Sequence, residues 1–533
     1  MGASRTLAEE WRASEPYRWL SAGPRPEGFA IQPRDFRPAD ADLGRTILAG
    51  AFVLEGATLT VGVRGDPWDR PSPSRPFAEA LHGFEWAPHL MAAGPDGAAE
   101  ALRLVLEWRR LFARWNRFAW DPDVMARRVF NLACAAPRLA ARASEAEIAL
   151  IAADLARQGR DLLFPGPRRM AAQRYVSAAV AGAALRGKAG RQLLARALDK
   201  LSPALDAAVS ADGEHASRRA DVTLELLFDL QTLDEALVQR GQAAPDAVQR
   251  AIDRLAGAVR FFTLGDGTLA RFHGGRRRAP AYVAAARAQD EMGDRPTAGQ
   301  MGGYQRLDSR HIQILVDAGP PPSGPWADAA CAQPLGLELL VGDRRLFGGF
   351  GREIAGAATI EVDEAGFGRR MTGWPARILG DRLTDAEFAV DVERHAAPDA
   401  LWLDAAHHGW IRRHGLLHQR RLYLDLRLSE VRGEDRLTPT ARAQGPDGRH
   451  FVPYVLRFPL HEGVHALVSQ DRRSVLLRVE GESGGWVLRN DALDISLEPH
   501  ARPGRPGAQL VLRGQRRADS GARVRWKLAP ASG

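Results

Sequence analysis

The feature that most constrains this chain is a change of hydrophobic period near residue 300. Upstream, segments near residues 78–92, 98–117, 123–140, 144–158, 169–187, 189–209, 218–239 and 246–263 carry apolar residues at helical spacing and are rich in Ala, Leu and Arg. Apolar residues at that spacing share one helical face, and short Gly- or Pro-bearing connections predict antiparallel helical hairpins, as in a toroid or helical array. Downstream the period becomes 2, as in His311-Ile312-Gln313-Ile314-Leu315-Val316, Leu337 to Val341 and Leu422 to Leu428. Further alternating runs occupy 453–458, 474–480, 485–489, 508–513 and 522–528. Many short strands with almost no helix between them predict antiparallel sandwich layers. The expected class is therefore α+β multidomain. An irregular arm covers 1–76, Pro- and Gly-rich from 24 onward; a helical (α/α) toroid, an incomplete helical barrel, covers 77–300; an antiparallel β-sandwich covers 301–533. The boundary is placed in Pro296–Met301, and 533 residues exceed what one core usually serves.

Composition narrows the partners. Of 73 basic residues all but Lys188, Lys200 and Lys527 are arginine, and the net charge is +8. Arginine forks suit carboxylates, sulfates and phosphates, which favours a polyanionic ligand such as an acidic polysaccharide. Zinc-finger spacing, an RNP-like aromatic motif and long basic runs beyond Arg276-Arg277-Arg278 are missing, so nucleic acid is not the expected partner. Cys134 and Cys331 form no CxxC motif and read as buried free thiols. Met1–Leu20 has no apolar signal-peptide core, and no stretch reaches the ~18 apolar residues of a membrane span. The sequence as written predicts a cytoplasmic protein without membrane insertion, with the periplasm as the alternative location, and leaves the oligomeric state open.

Residues 211–218, Ala-Asp-Gly-Glu-His-Ala-Ser-Arg, place a carboxylate, an imidazole and a guanidinium at the mouth of a helix. Asp212-Gly213 reads as a turn and Ser217 as a cap, so Glu214, His215 and Arg218 should share one helix entrance, where anions are favoured. The competing reading is an ordinary capped turn with a solvated arginine.

Several stretches in this order resemble the heparinase II/III family of polysaccharide lyases. They are the 212–218 segment; Leu81-His82-Gly83-Phe84-Glu85-Trp86; Trp120-Asp121-Pro122 leading to Arg128 and Asn131; and Gly265-Asp266-Gly267 with Leu269 and Phe272. Gly303-Tyr304-Gln305-Arg306-Leu307, Val316 to Pro321, His414 to Arg421 and Gly433 to Leu437 extend the likeness, which covers roughly 45–515 and points to a divergent, bacterial branch. What the resemblance implies is β-elimination on a uronic-acid-containing polysaccharide held at a cleft between the two halves. The C5 proton of a uronate is weakly acidic until the adjacent carboxylate is neutralised, so a lyase needs a neutralising group, a base at C5 and an acid for the leaving oxygen.

On that resemblance His215 and Tyr304 are the catalytic candidates, and Glu214, Arg218, Asn131, Arg128, Trp120 and Arg306 the substrate-binding ones. Each has a structural alternative. His215 would bond a loop group, Tyr304 would be a packed junction aromatic, Arg128 and Asn131 a buried pair, and Trp120 core packing; His418 reads as structural. The chain also departs from the family pattern. Ala220 to Thr223 supply neither Tyr nor His, Arg174-Tyr175 stand where an Asn-His pair is usual, and Ala330-Cys331-Ala332, Gly348-Gly349-Phe350 and Ala357-Ala358-Thr359 replace elements that supply zinc ligands in metal-bearing members. No metal and no other cofactor is therefore expected. Two functions remain: a lyase working with a reduced set, and a catalytically degenerate protein that binds acidic glycan.

Overall fold

The structure, a computed structural model, describes residues 10–531 apart from 12–13, 15, 18–22, 167, 291–298, 332, 350, 352–355, 364–368, 380–381, 385–387, 441–450, 483, 503–504 and 518–519. Its contacts divide the chain into two units: Met1–Val209 with Glu225–Asp253, and Ser210–Leu224 with Arg254–Gly533. The expected boundary at Pro296–Met301 lies partly outside the described residues. By contacts, residues 210–224 and 254–290 group with the strands that follow.

In the first unit, local chemistry starts several of the helices. The Asp121 side chain accepts the Asp123 amide ahead of Pro122–Ala140, which has Pro122 in its first turn, and Ser144 forms a reciprocal capping box with Glu147 ahead of Glu145–Asp161. Ala171–Ala184 is almost wholly buried. Its alanines allow a close approach to Gly187–Ala208, closest at Gly182, where a Cβ would stand 2.5 Å from the Leu194 amide nitrogen. The 24–76 stretch is more regular than expected. Asp40 caps a helix over Ala41–Leu48, and β1 (Ala51–Leu54) pairs with β2 (Ala57–Thr60) across Glu55-Gly56, both at positive φ, as a two-residue hairpin turn requires. Phe29 bridges Leu185, and Arg37 reaches Glu225 and the fully buried Asp229, which Arg127 also holds. Proline and glycine here set turns between short elements.

The second unit carries three larger antiparallel sheets. β3 (Gln300–Met301), β4 (Tyr304–Asp308), β5 (Ile312–Asp317), β6 (Leu337–Val341) and β7 (Arg344–Phe347) form a meander. β8 (Ile360–Val362) joins a four-stranded sheet, and the short β9 (Arg369–Arg370) and β10 (Leu383–Thr384) pair with each other. The next strands are β11 (Val390–Ala397), β12 (Ala400–His407), β13 (Leu416–Asp425), β14 (Glu430–Pro439), β15 (Phe451–Pro459), β16 (Val464–Val468), β17 (Ser474–Val479), β18 (Gly485–Asn490), β19 (Asp494–Arg502), β20 (Arg505–Arg517) and β21 (Ala522–Pro530). The four-stranded order is β19-β20-β15-β8, and the eight-stranded order is β11-β12-β13-β14-β21-β18-β17-β16. Alternation decides which side is buried: Leu422, Leu424, Val431 and Leu437 turn inward and share one hydrophobic cluster with Leu456, Leu510, Ile314 and Leu339 of the other sheets. Truncating such a side chain to Ala costs about 2–5 kcal/mol.

Candidate functional site

The helix nominated by the sequence starts later than expected, at Ala220, with Arg218 at φ +57 in the left-handed region. The preceding loop is held by its own groups. The Ser210 amide donates to the Glu214 carbonyl oxygen at 2.9 Å, the Glu214 amide donates to the Ser210 hydroxyl at 3.1 Å, and Gly213 sits at φ +95 where a Cβ would strike the Arg254 carbonyl oxygen at 2.1 Å. Ser217 serves the imidazole rather than the helix: its amide donates to His215 Nδ1 at 3.1 Å and its hydroxyl lies 2.8 Å from the same nitrogen. An acceptor at Nδ1 fixes the neutral tautomer with the proton on Nε2, a buried atom without a hydrogen-bond partner among the described residues. The ring stands edge-on to Trp326 and is 1 % exposed. Burial, then the Arg219 cation, push its pKa down to about 4, so the imidazole is neutral at pH 7.

Arg218 is the centre of a buried cluster. Its guanidinium pairs with Asp317, lies 3.3 Å from Glu214 and covers the Tyr304 ring at 4.5 Å, while the Tyr304 hydroxyl donates to the Arg218 carbonyl oxygen at 2.7 Å. Room for the planar group comes from two glycines, since a Cβ on Gly303 or on Gly319 would stand 2.4 Å from its nitrogens. His273 Nε2 completes the cluster 2.8 Å from Asp317.

Burial raises the Glu214 carboxyl against the pull of Arg218. It would raise Asp317 too, yet Arg218 and His273 hold that carboxyl below its usual range. Burial lowers His273, but Asp317 and Cys331 outweigh it and push the imidazole up to about 9. Burial lowers Arg218 as well, and Asp317, Tyr304 and Glu214 outweigh that, so it stays charged. Tyr304 is driven up by burial. A buried charge persists only when paired, and here two cations face two carboxylates.

The remaining nominated residues bond within the protein as well. Arg306 pairs with Asp308 at 2.6 Å and donates to the Thr263 carbonyl oxygen at 3.0 Å. In the first unit, Arg128 donates to Gln158 and the His82 carbonyl oxygen and stacks on Trp108, Asn131 donates to the Gly83 carbonyl oxygen, and the Trp120 indole donates to the Phe112 carbonyl oxygen. All eight nominated side chains are buried, the most exposed being Glu214 and Arg218 at 8 %.

The segments nominated as lost metal positions are only partly described. Ala332 and Phe350 lie outside the described residues, Gly349 donates its amide to Glu338, and the Ala358 carbonyl oxygen accepts from Arg420 at 2.7 Å. Arg420 shares Asp435 with His418, whose other nitrogen meets His407 at 2.9 Å, all within the sandwich core. Among the described residues no three His, Cys, Asp or Glu side chains converge as a metal site. Cys331 is buried and Cys134 half-buried, and among the described residues neither forms a disulfide. His273 and Asp317 were not nominated from the sequence as site residues. Their signal lay in the flanking Phe272 and Gly319, but pairing across 44 residues has no local signature.

Residues 291–527 match the family described as heparinase II/III-like, C-terminal. FtsZ-localized protein C of Caulobacter vibrioides is 47 % identical over 554 residues, covering 100 % of this chain and 95 % of that protein. The crystal structure of heparinase III matches with a TM-score of 0.72 at 12 % identity, over 98 % of this chain and 89 % of that one. Heparan sulfate lyase HepC from Pedobacter heparinus matches with a TM-score of 0.56 at 14 % identity, over 97 % and 87 %. These two likenesses concern the fold, toroid and sandwich.

Proposed function

Because the chain belongs to the heparinase II/III family, we propose that it is a member without lyase turnover, one that keeps the toroid-and-sandwich fold as a binding module and works where FtsZ is localised. The observation that carries this reading is the enclosure of the proton-transfer candidates: Tyr304 is fully buried with its hydroxyl committed to a backbone carbonyl oxygen, and His215 is 1 % exposed. β-Elimination needs a base at C5 and an acid at the leaving oxygen, both touching one sugar. Side chains enclosed by protein reach neither. The Arg218 guanidinium, suited to gripping a uronate carboxylate, is already neutralised by Asp317 and Glu214. Identity of 47 % along the whole chain to a protein named for its localisation with FtsZ supports a shared location. The net charge of +8 supports an acidic polysaccharide as the polymer held uncleaved.

Two measurements test the reading. Protein is incubated with heparan sulfate, chondroitin, hyaluronan and alginate while the ultraviolet absorbance of unsaturated uronate is followed, and retention on the same immobilised polymers is measured in parallel. Retention without product is expected; product that disappears in His215→Ala overturns the proposal. A fluorescent fusion in the native host should coincide with FtsZ, and a uniform distribution would refute the shared location.

A further inference from the structure

The face of the eight-stranded sheet turned away from the core carries two straight rows of side chains. Antiparallel register sets His395, Trp402, Tyr423, Arg432, Lys527 and Arg489 opposite one another on six neighbouring strands. Two residues along, a second row runs Glu393, Asp404, Arg421, Glu434 and Arg525, and Asp491 closes it by taking the Arg525 side chain. Both rows border a depression of about 700 Å³, within the range of small-ligand sites. Nothing in the proposed function uses this face.

The chemistry of the rows narrows the ligand. Trp402 is 37 % exposed, packs edge-on to Tyr423 with centroids 5.3 Å apart, and is followed by Arg432 over the Tyr423 ring at 5.3 Å. An exposed indole edge-on to a phenol is an apolar patch rimmed by polar groups. The polar groups are held in place: Arg421 is tied to Asp404 at 2.6 Å, Arg525 to Asp491 at 2.9 Å, and Arg432 and Lys527 share Glu430, each at 2.5 Å. Fixed arginine–carboxylate pairs offer donors and acceptors side by side, as vicinal hydroxyls require.

A polyanion is disfavoured, because Arg432 and Lys527 of the cationic row already share Glu430, and the second row, about 7 Å along, sets four carboxylates (Glu393, Asp404, Glu434 and Asp491) against two arginines (Arg421 and Arg525). An uncharged polyol meets no such repulsion. The rows also run across the strands, which repeat every ~4.8 Å, close to the length of one pyranose, so successive rings of an extended chain would fall on successive strands.

We propose that this face is a binding platform for a neutral, extended oligosaccharide, with Trp402 and Tyr423 stacking on pyranose faces and the Arg421–Asp404 and Arg525–Asp491 pairs bonding the hydroxyls. It is distinct from the acidic-polymer ligand supported above.

The test titrates the full-length protein with cellohexaose, chitohexaose and a heparan sulfate hexasaccharide, by calorimetry and indole fluorescence. At least one neutral hexamer should bind saturably, Trp402→Ala should weaken it about tenfold, and Asp404→Ala should weaken it too. Trp374→Ala, at an indole 72 % exposed outside this sheet, should leave binding unchanged. Unaltered melting temperatures establish that the variants fold. Absence of saturable binding by both neutral hexamers overturns the proposal. So does binding indifferent to Trp402→Ala, and so does Trp402-dependent preference for the sulfated hexamer.

Discussion

His273 gives the buried cluster a proton equilibrium that stability should report. Burial alone would lower its pKa, but Asp317 at 2.8 Å and Cys331 offset this and push it up to about 9. An unfolded histidine titrates near 6.5, so folding and protonation are coupled over about 2.5 pH units, or about 3 kcal/mol at about 1.4 kcal/mol per unit. The fold binds the proton more tightly than the unfolded chain does. The contribution is therefore complete below pH 6.5 and disappears as the pH rises through 9. The depressed pKa of Asp317 expresses the same attraction from its other end and is not added.

The perturbation is His273→Gln, and the assay is guanidinium unfolding at fixed pH steps from 6 to 10, with separate transitions fitted separately where they resolve. Wild type should lose about 3 kcal/mol between pH 6.5 and 9.5. The variant should be less stable at pH 6.5, nearly level across the window, and close to wild type at its alkaline end. Cys331→Ser, which leaves the His273–Asp317 pair in place, should keep the decline. If His273→Gln retains the wild-type decline, the proton resides elsewhere and the account of the cluster is wrong.

Two other outcomes follow from the same packing. His215 titrates at about 4 in the fold, so its contribution is full above pH 6.5 and lost as the pH falls toward 4; His215→Gln should reduce the acid-side loss by about 2 kcal/mol, read from melting curves at pH 7 and 4.5. Gly319→Ala should cost about 1–3 kcal/mol by driving a methyl into the Arg218 guanidinium 2.4 Å away. Gly484→Ala, where a Cβ meets nothing within 4 Å, should change stability by less than about 0.5 kcal/mol; equal effects at the two glycines would refute the steric argument.

What the sequence made legible was periodic. The 3.6-residue stripes upstream and the alternation of Leu422, Leu424 and Leu426 downstream mark helices and strands because burial of one face repeats along the chain. The hairpin at Glu55-Gly56 was missed because proline and glycine dominated its surroundings. At the site, neighbourhood was readable and enclosure was not. Glu214 and Arg218 are four residues apart and meet, but the hole that receives the guanidinium is made by Gly303 and Gly319, and its counter-charge by Asp317, 99 residues away. An arginine free to grip a ligand and one already neutralised look alike in sequence, and the difference lies in distant residues whose role no local pattern encodes.

The chain's path between its units limits how the protein can be dissected. Ser210–Leu224 belongs with the later residues although both its flanks belong with the earlier ones, so the polypeptide changes unit at 209–210, 224–225 and 253–254. A fragment trimmed to the family-matched span 291–527 would contain Asp317 without Arg218 or His273, the two cations that pair with it. During synthesis Arg218 and His273 leave the ribosome before Asp317 does, so the buried cluster closes only once residue 317 has emerged, and the sandwich completes its charge pairing with partners made earlier.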